Sequence, residues 1–162
     1  MIYIFDSCAL ITMFYHYYES RFPTLWNSFN KMVSDGNIIS VKEVFREITY
    51  RPSLPKKQAD RLLNWAKNNK EIFKPTDETE GDFIKEIFKI EHFRQIIGVK
   101  EIKRGFPVAD PFVIARACTY RGCVVTEEIF KPNGAKIPNI CNHFKIGCVN
   151  LENFMKKENW VF

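Results

Sequence analysis

Glycine is scarce in this chain, with 7 in 162 residues, and no glycine-rich loop follows any apolar run. A phosphate cradle made of backbone amides needs glycines clustered in one turn. The P-loop and the dinucleotide-binding fingerprint are therefore absent, and with them a large class of nucleotide enzymes. Histidine is scarcer still: the 3 present, at 16, 92 and 143, stand apart in sequence. No serine or cysteine nucleophile is paired with a histidine base in any motif context. The 5 cysteines, at 8, 118, 123, 141 and 148, are odd in number and form no CxxC pair. They read as small apolar residues of a reducing compartment rather than as a disulfide framework. Cys141 and His143 lack the two further ligands that a structural zinc requires. No apolar stretch nears the ~20 residues that span a bilayer. The opening has no basic leader, and Asp6 interrupts its apolar run. These absences predict a cytoplasmic protein with no membrane attachment.

What is present is a globular balance, 46% hydrophobic and 27% charged, which argues against disorder. The length suits a single domain over residues 1–162 with a core of its own. Phenylalanine, 15 in number, fills many of the candidate core positions. The net charge of +5 permits an acidic partner such as nucleic acid without specifying one. There are no repeats, low-complexity stretches or linkers.

Strand and helix patterns alternate, which predicts an α/β domain with a mostly parallel sheet. Ile2 to Phe5 reads as the first strand, with helix from about Ala9. Residues 21–34 form an amphipathic helix facing inward through Leu25, Phe29, Met32 and Val33. Asp35-Gly36 stops it, and Ile38 to Val41 makes the second strand. Lys42 to Tyr50 is helical, Pro52 and Pro55 break it, and Lys56 to Asn69 is helical again. Ile72 and Phe73 lead into the acidic stretch TDETEGD, whose acids favour the start of a helix over 79–94. Gly98 to Phe106 reads as a basic loop and Ala109 to Arg121 as a helix. Cys123 to Thr126 and Ile146 to Val149 are strands, and 151–158 is a terminal helix. The segment KPNGAKI, 131–137, reads as a surface turn. The total is four or five strands with helices between them.

Two acids lie where strands of such a sheet release the chain, the usual place for a site. Asp6 follows the first strand, and Glu128 stands two residues beyond CVVT. Glu47 and Asp110 lie on helices. Each has a plain alternative: Asp6 as a helix cap, Asp110 as a cap with Pro111 at the first helical position, Glu47 as a solvated side chain, and Glu127 and Glu128 as acids in a helix's first turn. Together they suggest more. Converging carboxylates repel one another unless a cation neutralises them, and hard oxygen donors suit magnesium or manganese. Such an ion polarises a phosphoryl oxygen and activates water, and a second ion can stabilise the leaving oxygen.

The stretches IFDSCALI (4–11), ISVKEVFREI (39–48), ADPFVIARA (109–117) and VVTEEIF (124–130) resemble the motifs of the PIN-domain nucleases. The likeness is strongest to the small toxin-type relatives of the VapC kind. Order and approximate spacing agree over about residues 1–150, and the third motif is the most specific. The resemblance implies an α/β/α sandwich on a central, mostly parallel sheet of about five strands. It implies metal-ligand and catalytic roles for Asp6, Glu47, Asp110 and Glu128. Glu43 rivals Glu47, and Glu127 could substitute for Glu128, where the family more often has Asp. Ser7 and Thr126 match small hydroxyl positions that support the ligands. The implied activity is hydrolysis of RNA phosphodiesters by a magnesium- or manganese-activated water. The implied partners are RNA, an antitoxin protein and a second copy of the chain. Lys100, Lys103 and Arg104, just before the third motif, would hold the RNA backbone if they fold beside the acids. A PIN-like binding module with weak or no catalysis is the alternative, motivated by Glu128. A phosphatase-like use of Asp6 as nucleophile is disfavoured, because its usual acid partner two residues on is here Cys8.

Overall fold

The computed structural model describes residues 1–50, 55–97 and 108–162. At its centre lies β1, Tyr3–Phe5, all three residues buried. An unbroken apolar run suits a central parallel strand, because helices cover both faces of such a sheet. β1 pairs in parallel with β2 (Ile38–Val41), Tyr3 opposite Ile38. Outside β2 lies β3 (Phe73–Lys74), with Phe73 opposite Ser40. On its other side β1 pairs with β4 (Cys123–Val125), Tyr3 opposite Cys123, and β4 pairs with β5 (Gly147–Val149). The five strands are all parallel, in the order β3-β2-β1-β4-β5. With helices flanking it, this sheet is the α/β domain that the sequence pattern predicts and is consistent with the α/β/α sandwich that the resemblance implies.

Side chains alternate between the faces of a strand, and the rings around β1 identify what covers each. Tyr3 and Phe5 meet Phe154 of the last helix at ring-centroid distances of 4.7 and 5.2 Å, and Phe5 meets Phe29 at 5.4 Å. Phe29 lies on α2, Pro23–Ser34, which follows α1, Ser7–His16. Edge-to-face pairs such as these add to the stabilisation from burial alone. The inward face of α2 is the expected Leu25, Phe29 and Val33, with Trp26 buried beside them and Met32 only half-buried. Ile4 points to the opposite face. A Cβ on Gly122 would stand 2.4 Å from Ile4 Cδ1 and 2.8 Å from Ile2 O. Glycine at 122 thus lets the chain pass close against β1 as it enters β4.

Helices α3 (Lys42–Tyr50), α4 (Lys56–Asn68) and α5 (Glu78–Lys89) follow in order, then α6 (Asp110–Thr119) and α7 (Ile137–Phe144). The last helix, α8, spans Leu151–Lys157. Helices α1, α3 and α4 pack on one another, and α5 packs along α6. Three elements differ from expectation. Between the surface turn expected over 131–137 and the strand expected from Ile146 lies a helix that the sequence reading does not include, α7, and Ile137 belongs to it and is buried. The helix expected over 79–94 ends at Lys89, where Ile90 turns extended and Glu91–Ile96 continues as a 3-10 helix. Arg94 Nε donates to Phe88 O at 2.7 Å and takes up a carbonyl of the final turn. The fifth strand, β3, has only two residues, too few for an alternating pattern. The basic loop expected over Gly98 to Phe106, with Lys100, Lys103 and Arg104, lies outside the described residues, as does Pro52.

A buried ion pair fastens α6 to the sheet. Arg116 of α6 and Glu80 of α5 are 2% and 1% exposed, so neither charge has water to solvate it. The guanidinium donates through Nε to Glu80 Oε1, and through Nη2 to Glu80 Oε2 at 2.9 Å. It also reaches Ser40 O at 3.1 Å and Pro75 O at 2.8 Å, the backbone at the ends of β2 and β3. Glu80 belongs in addition to a capping box with Asp77 at the start of α5. Removing one partner of a buried pair leaves the other charge uncompensated. Arg116→Met should therefore cost about 3–5 kcal/mol, read as a lower denaturation midpoint. Adding Glu80→Gln should return part of that loss.

Candidate functional site

Ligand crevices in parallel sheets open at the carboxyl ends of the strands, where the strand order reverses. Here it reverses between β1, whose successor β2 lies to one side, and β4, which lies to the other. Asp6 leaves β1 and Thr126 leaves β4 at that point. The ladder runs on through both: Asp6 N donates to Val125 O and Thr126 N to Val149 O, each at 3.0 Å.

Asp6 is 3% exposed and is the N-cap of α1. Its Oδ1 accepts from Ser7 N at 2.6 Å. Its Oδ2 accepts from Thr126 Oγ1 at 3.0 Å and Cys8 Sγ at 2.8 Å. The plain expectation of a cap is thus correct, and the same carboxylate also lies among other acids. Burial pushes the Asp6 carboxyl above its usual range. The bonds from Cys8, Thr126 and Ser7 oppose that shift, and the charge of Glu128 adds to it. Burial and the facing Asp6 carboxylate push the Cys8 thiol upward as well, so it stays protonated as a donor.

β2 runs directly into α3, whose Val44 and Ile48 are buried. Glu47, one helical turn beyond Val44, is half-buried rather than solvated. Its Oε2 accepts from Ser7 Oγ at 2.6 Å and its Oε1 from Ala109 N at 2.8 Å. Glu47 therefore joins the start of α1 to the start of α6. Asp110 is not the cap that Pro111 suggested: the N-cap is Ala109, and Asp110 is the first helical residue. Burial and then the carboxylates of Asp6, Glu128 and Glu47 hold Asp110 well above the usual range, while Lys136 acts in the opposite direction.

Glu127 and Glu128 do not open a helix; they lie in the irregular segment 126–136 after β4. Both still serve helix starts, at a distance. Glu128 Oε2 accepts from Ile137 N, the first residue of α7, at 2.9 Å, and its Oε1 from Lys136 Nζ at 2.7 Å. Glu127 Oε1 accepts from Leu151 N, the first residue of α8, at 2.8 Å. First-turn amides have no intrahelical acceptor, and anions there also meet the positive end of the helix dipole.

The structure thus gathers Asp6, Glu47, Asp110 and Glu128, with Ser7 and Thr126 bonded among them. Glu43 is not brought to Ser7 or Ala109: its Oε1 lies 3.9 Å from Arg46 Nη1, and its Oε2 has no hydrogen-bond partner among the described residues. Glu127 is turned to α8. Sequence reasoning missed two participants. Cys8 read as a small apolar residue, although its place two residues after Asp6, in the first turn, is what lets it reach that carboxylate. Lys136 read as part of a surface turn, and nothing local in KPNGAKI connects it to Glu128.

The donor set fits a hard divalent cation. Its charged members are carboxylates, burial and then their mutual repulsion raise Asp110, and one described lysine opposes the shift. Among the described residues, no three His, Cys, Asp or Glu side chains stand ready as they are to hold one ion. Glu47 and Glu128 are instead engaged with protein donors.

This crowding has a pH signature. Asp110 titrates above its ordinary 3.8, so over that window the unfolded chain gives up a proton that the folded chain keeps. Stability should therefore fall as pH rises from about 4 through the folded titration, and stay lowered above it. In chelator-treated protein, Asp110→Asn should flatten this fall and raise the melting temperature at about pH 8. Melting curves across the pH range check both.

No curated protein matches the sequence. A family model, Domain of unknown function (DUF4411), matches residues 3–162. That span holds all five strands and all four gathered acids, and the chain belongs to the DUF4411 family.

Proposed function

We propose that this chain is a divalent-metal-dependent endoribonuclease, acting with magnesium or manganese at Asp6, Glu47, Asp110 and Glu128. The observation that carries the reading is the bonding at the crevice between β1 and β4, where Ser7 bonds both Asp6 and Glu47, Thr126 bonds Asp6 and the backbone of Glu128, and Glu47 holds the Ala109 amide next to Asp110. A bound divalent ion would supply Lewis acidity toward a phosphodiester oxygen. The protein's part is to hold oxygen donors in fixed places. Thr126 and Cys8 hold Asp6, Ser7 orients Glu47, and the Ile137 amide orients Glu128. Such supporting bonds fix ligand orientation. The motif likeness to toxin-type PIN nucleases extends the proposal to the toxin of a toxin–antitoxin pair, with an antitoxin protein as partner.

A covalent route through Asp6 is disfavoured, because both its oxygens accept hydrogen bonds and the residue is 3% exposed. The engagement of both Glu128 oxygens favours a second reading, an RNA-binding module of the same fold without catalysis. Incubating purified protein with RNA and magnesium or manganese separates the two. The nuclease reading expects metal-dependent cleavage, reduced at least about 100-fold in both Asp6→Asn and Asp110→Asn. Cleavage unchanged in both variants would sink this site as the catalyst. RNA binding without metal-dependent cleavage would favour the module.

A further inference from the structure

The grip on Glu128 is asymmetric. Its two oxygens are held by consecutive residues, Oε2 by the backbone amide of Ile137 and Oε1 by the ammonium of Lys136. The amide is a fixture, since Ile137 is buried and opens α7. The loop before it is pinned as well, because Asn139 of α7 accepts from Lys131 N at 3.3 Å and donates to Lys131 O at 2.7 Å. The ammonium is a different kind of partner. Its side chain is 47% exposed, against 19% for Glu128, and it swings on a flexible stem. Its charge also bears on Asp110, opposing the three carboxylates that raise that group. One tethered cation thus occupies the oxygen of Glu128 that can be released without unfolding a helix start.

We propose that Lys136 is a built-in counter-cation of the carboxylate site, an ammonium that steadies the metal-free protein and that a divalent ion must displace from Glu128. The inference rests on the metal-site reading above. Without Lys136, the four acids repel one another with less compensation, so the empty site costs more and a divalent cation gains more by entering. With Arg in its place, the charge and the compensation remain. The effect is electrostatic at a partly exposed position, so salt should weaken it.

The test compares chelator-treated wild type, Lys136→Met and Lys136→Arg at low ionic strength. Thermal melting reports the metal-free state, and titration calorimetry with manganese alone reports affinity. The expectation for Lys136→Met is a lower metal-free melting temperature, narrowing as salt is added, together with manganese binding tighter by about tenfold. Lys136→Arg should stay near wild type in both. Unchanged melting and affinity in Lys136→Met, with manganese still bound by wild type, would overturn the role of Lys136 and leave the metal site standing. Weaker manganese binding in Lys136→Met would overturn it too, since a competitor's removal cannot weaken its rival. If neither wild type nor Lys136→Met binds manganese, the metal-site reading itself fails, and displacement falls with it.

Discussion

A carboxylate at the end of a buried strand is the constraint around which this structure is organised. Asp6 extends the central ladder through its own amide, so its backbone cannot move without breaking the pairing of β1 with β4. Its side chain is nearly sealed from water and must find its donors within the protein. Ser7 and Cys8 from the following helix, and Thr126 from the neighbouring strand, supply them. Those same residues lead outward, Ser7 to Glu47 and Thr126 to the backbone of Glu128. Satisfying one buried acid thus draws the ends of two strands and the starts of two helices toward a common point.

The scaffold around that point is held by a second polar device on the other side of α6. Arg116 ties its helix to α5 and to the backbone ends of β2 and β3. The helix that presents Asp110 at its first turn is therefore anchored two turns further along. Rigid support of this kind, from a sheet and a buried ion pair, suits a site whose donors must keep their separations while like charges push them apart.

Much of this was legible in the sequence, and the limits have physical causes. The mostly apolar runs at 2–5, 38–41 and 123–126, interrupted at Ser40 and closed by Thr126, announced the central strands, because burial on both faces leaves a near-continuous apolar signature. The position of Asp6 after such a run located the crevice. Two-residue β3 left no signature, since pairing at a sheet edge needs only backbone groups. Glu47 was separated from Glu43 by a tertiary event, the arrival of the Ala109 amide from 62 positions away. The bonds from Lys136 and Ile137 to Glu128 span 8 and 9 positions, and that from Leu151 to Glu127 spans 24. They depend on where a loop returns, and no local pattern encodes that. No local pattern marks Arg116 for burial, because its partners, the Glu80 carboxylate and the carbonyls of Ser40 and Pro75, come from 36, 76 and 41 positions away.

The two consecutive glutamates after β4 impose a condition on length as well as on chemistry. Glu127 reaches the amino end of α8 and Glu128 that of α7, so one short passage of chain sets the seating of two helices that follow it in sequence. The division of labour depends on phase. Deleting one residue just before the pair would move Glu128 into the place of Glu127, and the crevice would lose its fourth carboxylate to a helix it does not otherwise serve. The passage is therefore constrained in its count of residues as well as in its two glutamates.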